Sequence, residues 1–227
     1  MPTVLITGAN RGLGLELVRQ YAVENWKVIA TCRDPKSALE LKKIRGNVTI
    51  FPLDVTDFSA VEETSEVLKA EKIDILLNNA GIYDRLKKGL GETDFDVWAK
   101  MLHVNTLAPL KIIESFMPQV TSSNKKVIVS ISSLLGSIGS NDSGGQYAYR
   151  SSKAALNSVN KSLSIDLVRK GIVSIVISPG WVRTDMGGPE ATVGPVESVA
   201  GIRTVIKGLK LEDNGKFFNF NGSHINW

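Results

Sequence analysis

Seven short apolar runs, most of them rich in β-branched residues, recur along the chain, at 3–7, 27–32, 48–53, 73–78, 126–132, 172–178 and 216–220. Between them lie amphipathic stretches of helical length. In the first, Leu13, Leu17, Val18 and Tyr21 share one face, at spacings of four, five and eight residues. Later stretches cover 57–70, 94–120, 149–169 and about 196–209. The strand runs are continuously apolar rather than alternating, which suits strands covered on both faces. The pattern predicts one doubly wound α/β domain over residues 1–227, with a seven-stranded parallel sheet flanked by helices on both faces. Ligands of such sheets bind beyond the carboxyl ends of the strands. A glycine- and proline-rich segment at 181–195 predicts a mobile cover near that edge.

Composition narrows the class. With 227 residues, 43% hydrophobic and 22% charged, the chain can bury a core without staples. Cys32 is the only cysteine, so an internal disulfide is excluded and a reducing, cytoplasmic setting is expected. The N-terminal run Val4-Leu5-Ile6 is too short for a signal peptide, and no apolar run approaches the roughly 18 residues that span a bilayer. No membrane partner is expected. The net charge of +4 comes from 27 basic and 23 acidic residues. The lysine pairs Lys42-Lys43, Lys87-Lys88 and Lys125-Lys126 are scattered, which reads as solvated surface and not as a nucleic-acid footprint. One cysteine and two distant histidines, His103 and His224, do not make a zinc site, and no metal is expected.

The first strand runs into Thr7-Gly8-Ala9-Asn10-Arg11-Gly12-Leu13-Gly14 and then a helix. Glycines allow a tight turn and close approach of a pyrophosphate, and the helix N-terminus offers free N–H groups to an anion. At the end of the second strand, where an acidic residue would bond a ribose 2′-hydroxyl, the first charged residue is Arg33. With Arg11 it makes two guanidinium groups suited to a 2′-phosphate, so NADP(H) is expected over NAD(H). The neighbouring Asp34 either pairs with Arg33 or faces the ribose itself.

Tyr149 and Lys153 are four apart on a predicted helix and share a face. Reduction of a carbonyl needs a proton donor at the developing alkoxide, and an ammonium and a nicotinamide cation within several ångströms would favour phenolate and lower a tyrosine pKa toward that task. Ser132 and Ser133 end the fifth strand on opposite faces, so one of them can reach the site.

These pieces, in this order, resemble the short-chain dehydrogenase/reductase family. They are Thr7-Gly8-x-x-x-Gly12-x-Gly14, Asp54-Val55, Asn78-Asn79-Ala80-Gly81, Asn105, Ser133, Tyr149-x-x-x-Lys153 and Pro179-Gly180 with Thr184. The segment from Pro179 to Met186 and the ending Gly215-Lys216-Phe217-Phe218 are most similar to sniffer-type carbonyl reductases and C-factor-like proteins. The resemblance implies a Rossmann-like fold and a Ser133–Tyr149–Lys153–Asn105 catalytic set. Tyr149 would be the general acid/base, Ser133 would orient the substrate carbonyl, with Ser132 as the alternative, and Lys153 would tune Tyr149 and hold the nicotinamide ribose. Asn105 would mark a kink with a water link from its backbone to Lys153. Gly8, Asn10, Arg11, Gly12, Leu13 and Gly14 would hold the pyrophosphate end, and Asp54 and Val55 the adenine. Asn79, Ala80 and Gly81 would line the ribose, and Pro179, Gly180, Val182 and Thr184 the nicotinamide end. The implied activity is NADPH-dependent reduction of a ketone, aldehyde or quinone. A dinucleotide-binding signalling protein and an NAD-dependent alcohol dehydrogenase are the alternatives. The long helices at 94–120 and 149–169 resemble those through which family members form homodimers.

Overall fold

Every strand begins in an apolar run and ends at a polar or glycine-containing turn. In the computed structural model, which describes residues 1–84 and 89–227, these runs form β1 (Thr3–Ile6), β2 (Lys27–Cys32), β3 (Val48–Pro52), β4 (Ile75–Asn78), β5 (Val127–Ile131), β6 (Val173–Ser178) and β7 (Phe217–Asn219). The Lys87-Lys88 pair lies outside the described residues. All neighbours are parallel, in the order β3-β2-β1-β4-β5-β6-β7. Chain direction across the sheet reverses between β1 and β4, which opens a crevice at their carboxyl ends.

The helices are α1 (Gly12–Val23), α2 (Leu39–Lys42), α3 (Phe58–Val67), α4 (Phe95–Leu102), α5 (Ala108–Ser115), α6 (Met117–Thr121), α7 (Tyr147–Leu167) and α8 (Pro195–Gly208). Burial explains why the strands do not alternate in polarity. Val4, Ile6, Val28 and Ala30 pack toward a core that includes α1 and α8, while Leu5, Ile29 and Leu76 pack toward α3 and α5. Both faces of these inner strands are dry, so both must be apolar, while the edge strand β3 is only partly buried. Among the described residues no helix is long and apolar enough to cross a membrane, and no His/Cys/Asp/Glu cluster could hold a metal.

The helix expected over 94–120 is not continuous. After α4 the chain widens into a π-helical turn at His103–Leu107, closed by Ala108 N donating to His103 O. Then α5 and α6 each begin with a proline in the first turn, Pro109 and Pro118. Proline has no N–H to give to a preceding turn, so it starts a helix far better than it continues one. The one-turn α2 is too short to register as a helical periodicity. After α7 a short 3₁₀ turn ends at Gly171, in the left-handed conformation with φ 68°.

Candidate active site

The crevice between β1 and β4 is closed at its base by hydrogen bonds. Thr7 Oγ1 accepts from Asn79 N at 3.0 Å and from Ala80 N at 3.1 Å. Asn79 Nδ2 donates to Thr7 O at 2.9 Å and to Gly8 O at 3.1 Å. A Cβ on Gly8 would lie 2.9 Å from Ala80 Cα, and one on Gly14 would lie 2.2 Å from Gly8 O, so both positions require glycine. Gly12 differs. Its φ is +54°, and a Cβ there would meet only the Thr184 side chain, at 3.5 Å. At the start of α1, Arg11 makes no side-chain cap and the first turn has no acidic residue. The turn therefore presents an open glycine and an uncapped helix N-terminus, a cradle whose chemistry fits a pyrophosphate.

Charge gathers on the rim. Arg33 and Arg11 are exposed, and Arg11 Nη1 lies 3.4 Å from Asp185 Oδ2. Asp34 makes no ion pair with Arg33. Its carboxylate accepts from Lys36 N at 2.9 Å, and hydrogen bonding from Ser37 and Lys36 lowers its pKa. Asp54 is half-buried, which works against ionisation, yet Thr56 N and Oγ1 at 2.9 and 2.7 Å and the nearby Arg33 charge lower its pKa. The exposed Arg33 guanidinium is a cation available to an anionic group at this rim.

At the carboxyl end of β5 the predicted catalytic residues meet. Tyr149 lies in the first turn of α7, with the Ser133 hydroxyl in hydrogen-bond contact with its phenol. Ser133 also caps the 3₁₀ turn Leu134–Gly136, accepting from Leu135 N at 3.2 Å. Ser132 meets the same helix two turns further on, donating to Asn157 Oδ1 at 2.6 Å. Lys153, one helical turn after Tyr149, is 5% exposed and donates to Ile131 O at 2.8 Å. Its ammonium lies 5.9 Å from the Tyr149 ring centroid.

Burial pushes the Tyr149 phenol up to about 12, against the lowering effect of the Ser133 hydrogen bond. Burial likewise pulls Lys153 down to about 8. These directions belong to the protein by itself, whereas the expected lowering of the phenol joins the ammonium to a nicotinamide cation. Desolvation dominates and favours the neutral form of both groups.

Asn105 occupies the middle of the π-helical turn and is fully buried. Its Oδ1 accepts from Ile82 N at 2.9 Å, and its Nδ2 donates to Ile82 O at 2.9 Å and to Ser152 Oγ at 3.0 Å. Ser152 Oγ donates in turn to Tyr149 O at 2.8 Å. A Cβ on Gly81 would lie 3.3 Å from Asn105 Oδ1 and 3.7 Å from Lys153 Nζ, so these three positions converge. The π-helical turn interrupts the regular helix at Asn105, the position where a kink is expected.

A family profile described as short chain dehydrogenase matches residues 2–192. The chain belongs to the short-chain dehydrogenase/reductase family, a family of oxidoreductases. Its structure is similar to carbonyl reductase Sniffer of Drosophila melanogaster, with 34% identity, a TM-score of 0.92 and coverage of 100% of both chains. An NADPH-bound carbonyl reductase from chicken fatty liver has 35% identity, a TM-score of 0.91 and coverage of 100% of this chain and 99% of its own. C-signal of Myxococcus xanthus is 41% identical over 155 residues, which cover 68% of this chain and 93% of that protein.

Within this family frame, the segment expected to cover the site is bonded to itself. Val182 and Val193 form a parallel bridge, Trp181 Nε1 donates to Gly187 O at 2.8 Å, and Arg183 Nη1 donates to Ala191 O at 2.9 Å. Trp181 and Met186 remain exposed.

Several residues that build the site were not singled out by the sequence. A Cβ on Gly136 would lie 2.8 Å from Lys153 Cβ, so only glycine lets the β5 turn press against α7. Asn157 Nδ2 donates to Gly136 O at 3.1 Å and fixes that contact. Ser152 and Asn157, three and eight residues beyond Tyr149, fall on the Tyr149–Lys153 side of the helix, and that spacing was the available signal. Tyr83 and Gln146 carried no such signal.

Proposed function

We propose that this protein is an NADPH-dependent carbonyl reductase acting on a ketone, aldehyde or quinone. The observation that carries the reading is the convergence of Ser133, Tyr149 and Lys153 at the end of β5. When bound, the nicotinamide supplies a hydride to the carbonyl carbon. Ser133 Oγ donates a hydrogen bond to the substrate oxygen and orients it. Tyr149 Oη gives its proton to that oxygen as negative charge develops there. The Lys153 ammonium offsets the charge left on the phenolate. Asn105 and Ser152 hold the helical turn that presents Tyr149.

The glycine turn from Gly8 to Gly14, with Asn10, Arg11 and Leu13, would hold the pyrophosphate end. Asp54 and Val55 would hold the adenine, Asn79, Ala80 and Gly81 the ribose, and Pro179, Gly180, Val182 and Thr184 the nicotinamide end. Arg33, with Arg11, would select the 2′-phosphate, and the NADPH in the chicken reductase supports that assignment. The segment 181–195 would move as one self-bonded flap over the substrate. A reducing, cytoplasmic setting fits the single buried Cys32. The proposed assembly is a homodimer through α5, α6 and α7, whose Leu110, Met117, Val159 and Leu163 line an apolar groove.

The test is NADPH oxidation, followed by absorbance, with menadione, isatin and para-nitrobenzaldehyde, alongside Tyr149→Phe. Turnover by the native protein, lost by about 10²- to 10⁴-fold in the variant, is the expected result. Tight NADPH binding with no turnover would instead favour a dinucleotide-binding signalling protein, the reading to which the similarity to C-signal lends weight.

A further inference from the structure

The chain reaches α7 through three successive left-handed residues, Gly144 (φ 63°), Gly145 (φ 63°) and Gln146 (φ 50°). Glycine adopts that backbone freely, but for glutamine it is strained. Gln146 stands at the N-cap of α7, yet its side chain makes no capping bond. Instead its Oε1 accepts from Tyr83 Oη at 3.1 Å. Its main-chain carbonyl accepts from Arg150 N at 3.0 Å and so closes the first helical turn, the one that carries Tyr149. The Tyr83 ring also meets the Tyr149 ring edge-on, with centroids 4.7 Å apart and planes at 67°.

One side chain thus touches both the strained residue that starts α7 and the phenol three residues later. Its own backbone is anchored. The preceding residue, Ile82, is bonded through both its N–H and its carbonyl to the buried Asn105 amide, each at 2.9 Å. Asn105 reaches the same helical turn a second way, through Ser152 Oγ to Tyr149 O. The π-helical turn, the loop after β4 and the start of α7 therefore form a closed ring of contacts around Tyr149. An edge-on aromatic pair restricts rotation of both rings. Strained backbone persists where the surroundings over-determine it, and such positions cluster at reacting groups.

We propose that Tyr83 is a positioning residue for the reaction, holding the Tyr149 phenol by its ring and the left-handed Gln146 by its hydroxyl. This rests on Tyr149 being the proton donor. Tyr83 lies in no motif of the catalytic set, and its role comes from the fold alone. The role concerns orientation of the proton donor, so it is felt in turnover more than in substrate binding, and small misplacements at a reacting group cost rate steeply.

The experiment measures kcat and KM for menadione and isatin, the Kd for NADPH and the melting temperature, in the native protein and in Tyr83→Leu, Tyr83→Phe, Gln146→Gly and the Tyr83→Phe/Gln146→Gly double variant. Tyr83→Leu is expected to lower kcat about tenfold or more, with KM within about threefold and NADPH affinity unchanged. Tyr83→Phe keeps the ring and is expected to recover most of that loss. Tyr83→Phe and Gln146→Gly remove the two ends of one hydrogen bond, so the double variant is expected to cost no more than the larger single change. A Tyr83→Leu protein that melts like the native one and keeps its kcat, or that only raises KM, overturns the inference. So does a fall in kcat matched by lost NADPH binding and a lowered melting temperature, which marks a merely structural role. If Tyr149→Phe turns over as fast as the native protein, or the native protein turns over neither compound, the reading of Tyr149 fails and this inference with it. If Tyr149→Phe is inactive while the Tyr83 variants match the native protein, only this inference fails.

Discussion

The two ends of the crevice are built in opposite ways. At the end of β5 and the start of α7, Lys153, Asn105, Ser132, Ser152 and Asn157 are all buried, and each makes a hydrogen bond to a named neighbour. At the end of β2 and the glycine turn, Arg33, Asp34, Arg11 and Asp185 stand in solvent, and the Arg11–Asp185 pair is exposed on both sides, at 68% and 79%. Proton chemistry needs groups held in place in a dry site, where desolvation moves their pKa values and each bond is costly to lose. The proposed discrimination between dinucleotides needs only a charge within reach of a phosphate, and an exposed guanidinium would supply it at little cost to the fold. Substitutions at the first end are therefore expected to affect activity and stability together, and those at the second to affect cofactor preference alone.

Lys153→Met should break the buried end most severely, lowering turnover about 100-fold or more in the NADPH oxidation assay. It also tests the electrostatics. Burial holds Lys153 near 8, below its ordinary 10.5, so between these values the unfolded chain binds more protons than the native one. Native stability conferred at this site therefore rises with pH through that window, and Lys153→Met lacks the gain. Urea unfolding at about pH 7 and about pH 10 should show the native protein improving relative to the variant by about 2–3 kcal/mol. A difference that does not change with pH would mean that the ammonium is well solvated. Asn105→Ala comes next in size. It leaves Ile82 N, Ile82 O and Ser152 Oγ without their partner in the core and should cost about 2–4 kcal/mol, read from denaturant midpoints. The exposed end should respond more gently. Arg33→Ala is expected to lower the NADPH-to-NADH ratio of kcat/KM about tenfold with an unchanged melting temperature, and a preserved ratio would remove Arg33 from phosphate recognition. Asp185→Ala should be smallest, shifting stability by less than about 0.5 kcal/mol, since exposed pairs contribute little. A larger shift would mean that the pair anchors the segment 181–195.

The seven strands, their parallel order of burial and the helices flanking them follow from the sequence, because continuous apolar runs separated by amphipathic stretches have few other ways to hide both faces. The positions of Gly8, Tyr149 and Lys153 were also legible, since a turn that needs glycine and a pair four apart on a helix are local facts. The long helix read over 94–120 was not a single helix, because a π-helical turn around Asn105 and the prolines at 109 and 118 divide it, and helical periodicity is blind to one inserted residue. The choice between Ser132 and Ser133 depended on where along α7 each serine meets the helix, and the contact with Tyr149 falls to Ser133 while Ser132 bonds Asn157, two turns further on. The pairing of Tyr83 with Gln146 spans 63 residues of chain, its contact with Tyr149 is as distant, and neither has any local pattern. What the sequence determined by itself is what neighbouring residues decide through periodicity and turn chemistry. The pKa values of Tyr149 and Lys153, and the contacts that orient them, were decided only when distant segments excluded water around them.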